Sequence, residues 1–209
     1  MQKIALIYMG GTFGCIGEPL MPMPEQAFLP LLEKMVPPHL QVECFAAPSI
    51  KDSSACTAID WLQLIQQIQQ LQRNNYQHFV IIHGTDTMSY AAATLARFLG
   101  DSCHAIITGS QYPLLNVDGN DTREFTDALG NLYLALEQVL KLPAGVYLAF
   151  HQQVFHAQTT LKVHTTELDA FTGIPATTEC LTSTHQFIVQ DHHITQAAQL
   201  CVLNLMLQP

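Results

Sequence analysis

Four short, mainly apolar runs, three of them closed by glycine and hydroxyl side chains, constrain this chain more than any other feature. They fall at residues 3–8, 79–82, 105–107 and 146–150. None alternates apolar with polar, so a strand formed there has both faces buried, the signature of a parallel sheet covered by helices on each side. Parallel neighbours need long crossovers, and the intervening segments are suited to supply them. Residues 25–35 read as a helix stopped by Pro37 and Pro38. Trp61, Leu64, Ile65, Ile68 and Leu71 share one face of a second helix, opened by Thr57 with Asp60 three residues on, close to a capping box. Its outer face is rich in glutamine and reads as solvated. Residues 88–99 predict an alanine-rich third helix, and 123–140 a long fourth. Residues 42–45 add a strand, and 154–171 read as strand and loop. The expectation is a three-layer α/β sandwich with a mainly parallel, Rossmann-like sheet.

Composition narrows the class. The net charge of −9 disfavours nucleic acid, whose phosphates would be repelled. Charged residues are only 12% of the chain, against about 25% in ordinary soluble domains, which suggests surface covered by another subunit or segment. The first apolar run ends at Gly10, too short for a signal peptide or a membrane span, so a cytoplasmic protein without membrane attachment is expected. Six scattered cysteines lack metal-ligand spacing and read as reduced thiols, with no metal and no cofactor expected.

The loops that follow the strands carry the chemistry. In an open parallel sheet, ligands gather at the carboxyl ends of the strands. Tyr8-Met-Gly-Gly-Thr-Phe-Gly14 puts Thr12 there, and His83-Gly-Thr-Asp-Thr87 puts Thr85 beside Asp86. A threonine hydroxyl is a weak nucleophile and needs a base nearby, a part Lys162 can fill. Taken singly, each segment has a structural explanation. Two glycines make a tight turn, Thr and Asp cap helices, and Asp52-Ser-Ser54 can be a capped turn before Thr57. Together they would surround one crevice suited to a small substrate bearing a carboxylate and a carbonyl. His83 reads as a residue that orients its loop, Cys15 as packing, and His192 with His193 as exposed linker residues.

These segments, with Thr108-Gly-Ser-Gln111 and Lys162-Val-His164, resemble the bacterial L-asparaginases, and most closely their cytoplasmic type I branch. The likeness runs in order from residue 3 to about 175. It implies that Thr12 attacks the side-chain amide of L-asparagine, with Thr85, Asp86 and Lys162 as a second threonine–acid–lysine group. It implies that Ser53 binds the substrate carboxylate in a loop shaped by Asp52, and that Asp86 takes the ammonium. Ser54 matches a polar substrate contact and Ser110 a backbone contact near the leaving amide, while the N–H groups of Thr12 and Thr85 match oxyanion donors. Leu20 stands where the family carries a tyrosine on the loop after the nucleophile.

The resemblance implies a catalytic domain at 1–180, with 181–209 as a linker and first strand of a C-terminal domain. Residues 200–207 read as one more buried strand, either docked back on the first domain or continued by more chain; the continued chain is the expectation. On that reading the 209-residue chain alone is weakly active or inactive, and the longer protein is a homodimer or homotetramer. Two alternatives stay open: a glutaminase or ammonia-supplying amidotransferase subunit, and a regulatory domain that binds asparagine without turnover.

Overall fold

A computed structural model describes residues 2–179 and 184–199. The central sheet has six strands in the order β4-β1-β5-β6-β7-β8. These are β1 (Lys3–Gly10), β4 (Gln41–Lys51), β5 (His78–Ile82), β6 (His104–Thr108), β7 (Gly145–Phe150) and β8 (Gln153–His156). The first five are parallel and β8 returns antiparallel to β7. Ile7 lies between Phe45 and Ile81, and Ile81 continues to Ile107 and Leu148, a row of apolar partners across the sheet.

Strand periodicity divides the core in two. Ala5, Ile7, Phe79, Ile81, Ala105, Ile107 and Leu148 face the helices α2 (Ala58–Arg73) and α3 (Met88–Leu99). Their neighbours Ile4, Leu6, Val80, Ile82, Ile106 and Tyr147 face α1 (Glu25–Met35) and α4 (Ala128–Gln138). Successive residues of a strand point to opposite faces, so runs apolar on both faces can be buried only in this three-layer arrangement.

The fold matches the expected class, with local differences. Strand β4 runs to Lys51 rather than stopping at residue 45; it lies at the sheet edge, where Pro48 leaves no interior ladder bond unmade. Helix α4 starts at Ala128 rather than near residue 123. The Asp127 carboxylate accepts the N–H groups of Gln111 and Tyr112, and Thr126 Oγ1 accepts that of Ala128, so the preceding residues are drawn into a loop. The box at the start of α2 is formed, with the Thr57 N–H donating to Asp60 Oδ2 at 2.8 Å. Residues 154–171 do form strand and loop: β8, a single turn at Ala157–Thr159, and β9 (Leu161–Lys162), which pairs with β10 (Phe171–Thr172). Within the stretch read as linker, α5 (Asp191–Ala197) is a short helix against α2, and Gln69 clamps the chain before it by bonding Phe187 O and Val189 N. The expected strand at 200–207 lies outside the described residues. Cys15, Cys44, Cys56 and Cys103 are free thiols, and among the described residues no helix is long and apolar enough to cross a membrane.

Candidate active site

The chain leaves β1 for β4 on one side of the sheet, then crosses back to β5 on the other. The loops after β1 and β5 therefore part at a topological switch point, where an open α/β sheet forms its binding crevice. A cavity of about 280 Å³ lies there, bounded by Gly11, Thr12, Asp52, Ser53, Gly84, Thr85, Asp86, Gln111, Tyr112, Thr165 and Thr166.

Close backbone approach brings the two loops together. Gly11 has a φ of 82°, and a Cβ there would strike the backbone of Gly84; one at Gly84 would strike the Ser53 hydroxyl. Only glycine serves at both positions. Thr12 follows, half-buried, on a single helical turn (Thr12–Gly14). Beyond it, β2 (Cys15–Ile16) and β3 (Met21–Pro22) form a small hairpin, with Leu20, 50% exposed, in its turn.

The second threonine is held from several sides. Thr85 is buried, and Lys162 Nζ donates to its Oγ1 at 2.9 Å and to Asp86 Oδ1 at 2.8 Å. The Lys162 side chain is only 15% exposed, seated by the β9–β10 pair in which it lies opposite Phe171. Ser53 is buried; its Oγ accepts the Asp86 N–H at 3.2 Å and its carbonyl accepts the Thr87 hydroxyl at 2.8 Å. Asp52 Oδ1 accepts both the N–H and the hydroxyl of Ser54, and these bonds hold its carboxyl below the usual carboxylate range. His83, beside this loop, is buried, and desolvation pushes its imidazole below the ordinary histidine value.

The crevice thus gathers Thr12, Asp52, Ser53, Thr85 and Asp86 around one space, with Lys162 bonded to two of them. Two expected contacts, Ser54 and the backbone of Ser110, are not among the residues that bound the cavity. Ser54 is exposed, with its hydroxyl engaged by Asp52. Ser110 is buried, and its Oγ donates to Tyr112 O at 2.6 Å, bracing the loop after β6. The residue next to Ser110 is the one the sequence reading passed over. Gln111 Oε1 meets Thr85 Oγ1 at 3.4 Å, and its Nε2 bonds the carbonyls of Thr165 and Glu167. It straps the 165–167 loop over the crevice. Its place in the Thr108-Gly-Ser-Gln111 segment, past a strand end, was the available signal.

An anionic wall (Asp52 and Asp86), hydroxyls and one ammonium in so small a space suit a zwitterion of amino-acid size. Comparisons with known proteins give the chain's family. The profile of the family described as "Asparaginase, N-terminal" matches residues 3–194. L-asparaginase 1 of Escherichia coli (strain K12) is 32% identical over 192 residues, covering 82% of this chain and 51% of that protein. Among solved structures, L-asparaginase I from Vibrio cholerae superimposes with a TM-score of 0.69 at 27% identity, over 90% of this chain and 58% of that one. A probable cytoplasmic L-asparaginase from Campylobacter jejuni gives 0.65 at 25% identity, over 83% and 52%. The chain spans about half the length of these relatives.

Proposed function

The chain belongs to the asparaginase family, and from that premise we propose that its crevice hydrolyses the side-chain amide of L-asparagine to L-aspartate and ammonia. The observation that carries this reading is Lys162 Nζ within hydrogen-bond reach of both Thr85 Oγ1 and Asp86 Oδ1, at the edge of a crevice that Thr12 also lines. Thr12 Oγ attacks the amide carbon, and the N–H groups of Thr12 and Thr85 stabilise the oxyanion. The proton of the Thr12 hydroxyl passes through the Thr85–Lys162 pair to the amide nitrogen, the C–N bond breaks, ammonia leaves, and a β-aspartyl ester remains on Thr12. Water then releases aspartate and restores the hydroxyl. Asp86 binds the substrate ammonium by a charge-assisted bond, and Ser53, in the loop shaped by Asp52, takes the carboxylate.

No metal or cofactor enters this scheme. The setting is cytoplasmic, residues 1–180 form the catalytic domain with 181–209 leading on from it, and the working protein is a homo-oligomer, a dimer or tetramer, whose substrate is a free amino acid. The test is ammonia release from L-asparagine by the wild-type chain and by Thr12→Ala. Any asparagine-dependent rate is expected to fall at least about 10³-fold in the variant, with its circular dichroism unchanged. A variant that kept most of the rate would exclude Thr12 as nucleophile.

A further inference from the structure

The chain has one tryptophan, Trp61, and it lies on α2 rather than in the crevice. Its Nε1–H nevertheless reaches His83 Nε2 at 3.3 Å, while His83 Nδ1 lies 2.7 Å from Gly84 O. These partners leave one assignment of the protons. An indole nitrogen only donates, so Nε2 accepts; a carbonyl only accepts, so Nδ1 carries the hydrogen. The imidazole is then a neutral Nδ1–H tautomer with both nitrogens occupied, which leaves it no free site to act as a base.

We propose that Trp61 is a positioning residue, acting through His83 to fix the Gly84-Thr85-Asp86 turn that forms one wall of the crevice. The geometry of that turn is demanding. Gly84 packs against Gly11 and the Ser53 hydroxyl at distances no side chain would allow, and the next two residues supply the hydroxyl and carboxylate bonded to Lys162. A peptide rotation at Gly84 would turn the Thr85 N–H away from the crevice, and the His83 bond to the Gly84 carbonyl resists that rotation. Trp61 selects the tautomer able to make this bond. The indole is itself half-buried against the apolar cluster that α2 and α3 make with the sheet, at the rim of a groove that Leu62, Phe98 and Phe187 also line. His83 and Trp61 lie 22 residues apart, so only the packing of α2 on the sheet unites them.

The inference rests on the asparaginase reading for its ligand, L-aspartate, the product of the proposed reaction, but its first readout is independent of it. Nitrogen-15 NMR of the histidine side chains in the wild-type chain is expected to show His83 neutral with its proton on Nδ1. Trp61→Phe keeps an aromatic ring and removes the donor. There the population should move toward the Nε2–H form, and L-aspartate should bind about tenfold more weakly, the effect of one lost hydrogen bond. His83→Asn, which keeps a short N–H donor beside Gly84, should retain more affinity than His83→Leu. A wild-type His83 protonated on Nε2 would overturn the proposal, as would Trp61→Phe with tautomer and affinity unchanged. If the wild type bound no aspartate, the asparaginase reading would fail, while the tautomer of His83 would still decide the positioning role.

Discussion

The loops that leave β1 and β5 face each other across the crevice, each with a threonine, yet they are held very differently. Around Thr85 the bonds converge: Lys162 on its hydroxyl and on Asp86, Ser53 on the Asp86 N–H and Thr87 hydroxyl, His83 on Gly84, Gln111 alongside. Around Thr12 they thin out. Among the described residues no hydrogen bond holds the Thr12 hydroxyl, and the segment beyond is a two-residue-per-strand hairpin with an exposed turn. Its two ends are joined by the Met23 N–H donating to Gly14 O, and it is tied to the rest by the Gly17 N–H to Val117 O and, just before it, by the Leu114 N–H to Phe13 O. The difference fits the division of labour in the reaction proposed above. Substrate recognition and proton handling need fixed geometry, whereas the attacking hydroxyl must change partners during the reaction.

Breaking the rigid side should cost heavily. Lys162→Met removes the ammonium that joins Thr85 to Asp86, and kcat for L-asparagine should fall about 10²–10⁴-fold, the usual scale for a lost proton-transfer group. Steady-state kinetics would check this, and a variant within threefold of wild type would detach Lys162 from the chemistry.

A subtler test lies behind the same wall, at the start of α2. Burial alone would raise the Asp60 carboxyl, but the Lys51 ammonium at 2.9 Å and the bonds from Thr57 and Ser49 outweigh it and hold it below its ordinary value. A carboxyl depressed on folding contributes stability above its unfolded value, near 4, that is lost as pH falls through the folded one. Asp60→Asn should therefore lower stability by about 1 kcal/mol at pH 7, the scale of a lost cap. The gap to wild type should narrow as the medium is acidified below the ordinary carboxylate range. Denaturant melts at several pH values would show it, and a gap that widened in acid would contradict the sign.

The smallest effect belongs to the loosely held side. Leu20→Ala, in the exposed hairpin turn, should change stability by no more than about 0.5 kcal/mol. A larger loss in a thermal melt would mean that this arm is packed rather than open.

Much of this was legible in the sequence for a definite reason. The runs at 79–82 and 105–107 leave no polar face, so β5 and β6 had to lie inside a covered sheet, and the loops behind them had to emerge at one edge. Thr85 and Asp86 follow from that placement and Thr12 from the like run before it, whereas the part given to Ser53 came from the resemblance. What stayed hidden depends on contacts distant in sequence. The start of α4 was misplaced because Asp127 is drawn to the Gln111 and Tyr112 amides, which local helix propensity does not register. Ser110 and Gln111 are neighbours, and only the fold shows which turns inward and which meets Thr85. The bond from Trp61 to His83 exists only once α2 is docked.

The central claim, that Thr12 is acylated by the side-chain carbonyl of L-asparagine, is tested most directly by trapping. The chain would be mixed with L-asparagine, quenched in acid within the first turnover, digested and examined by mass spectrometry. The account predicts an aspartyl ester on the peptide that contains Thr12, absent from Thr12→Ala. An ester found instead on the peptide carrying Thr85, or ammonia released at an undiminished rate by Thr12→Ala with no ester on any peptide, would contradict it.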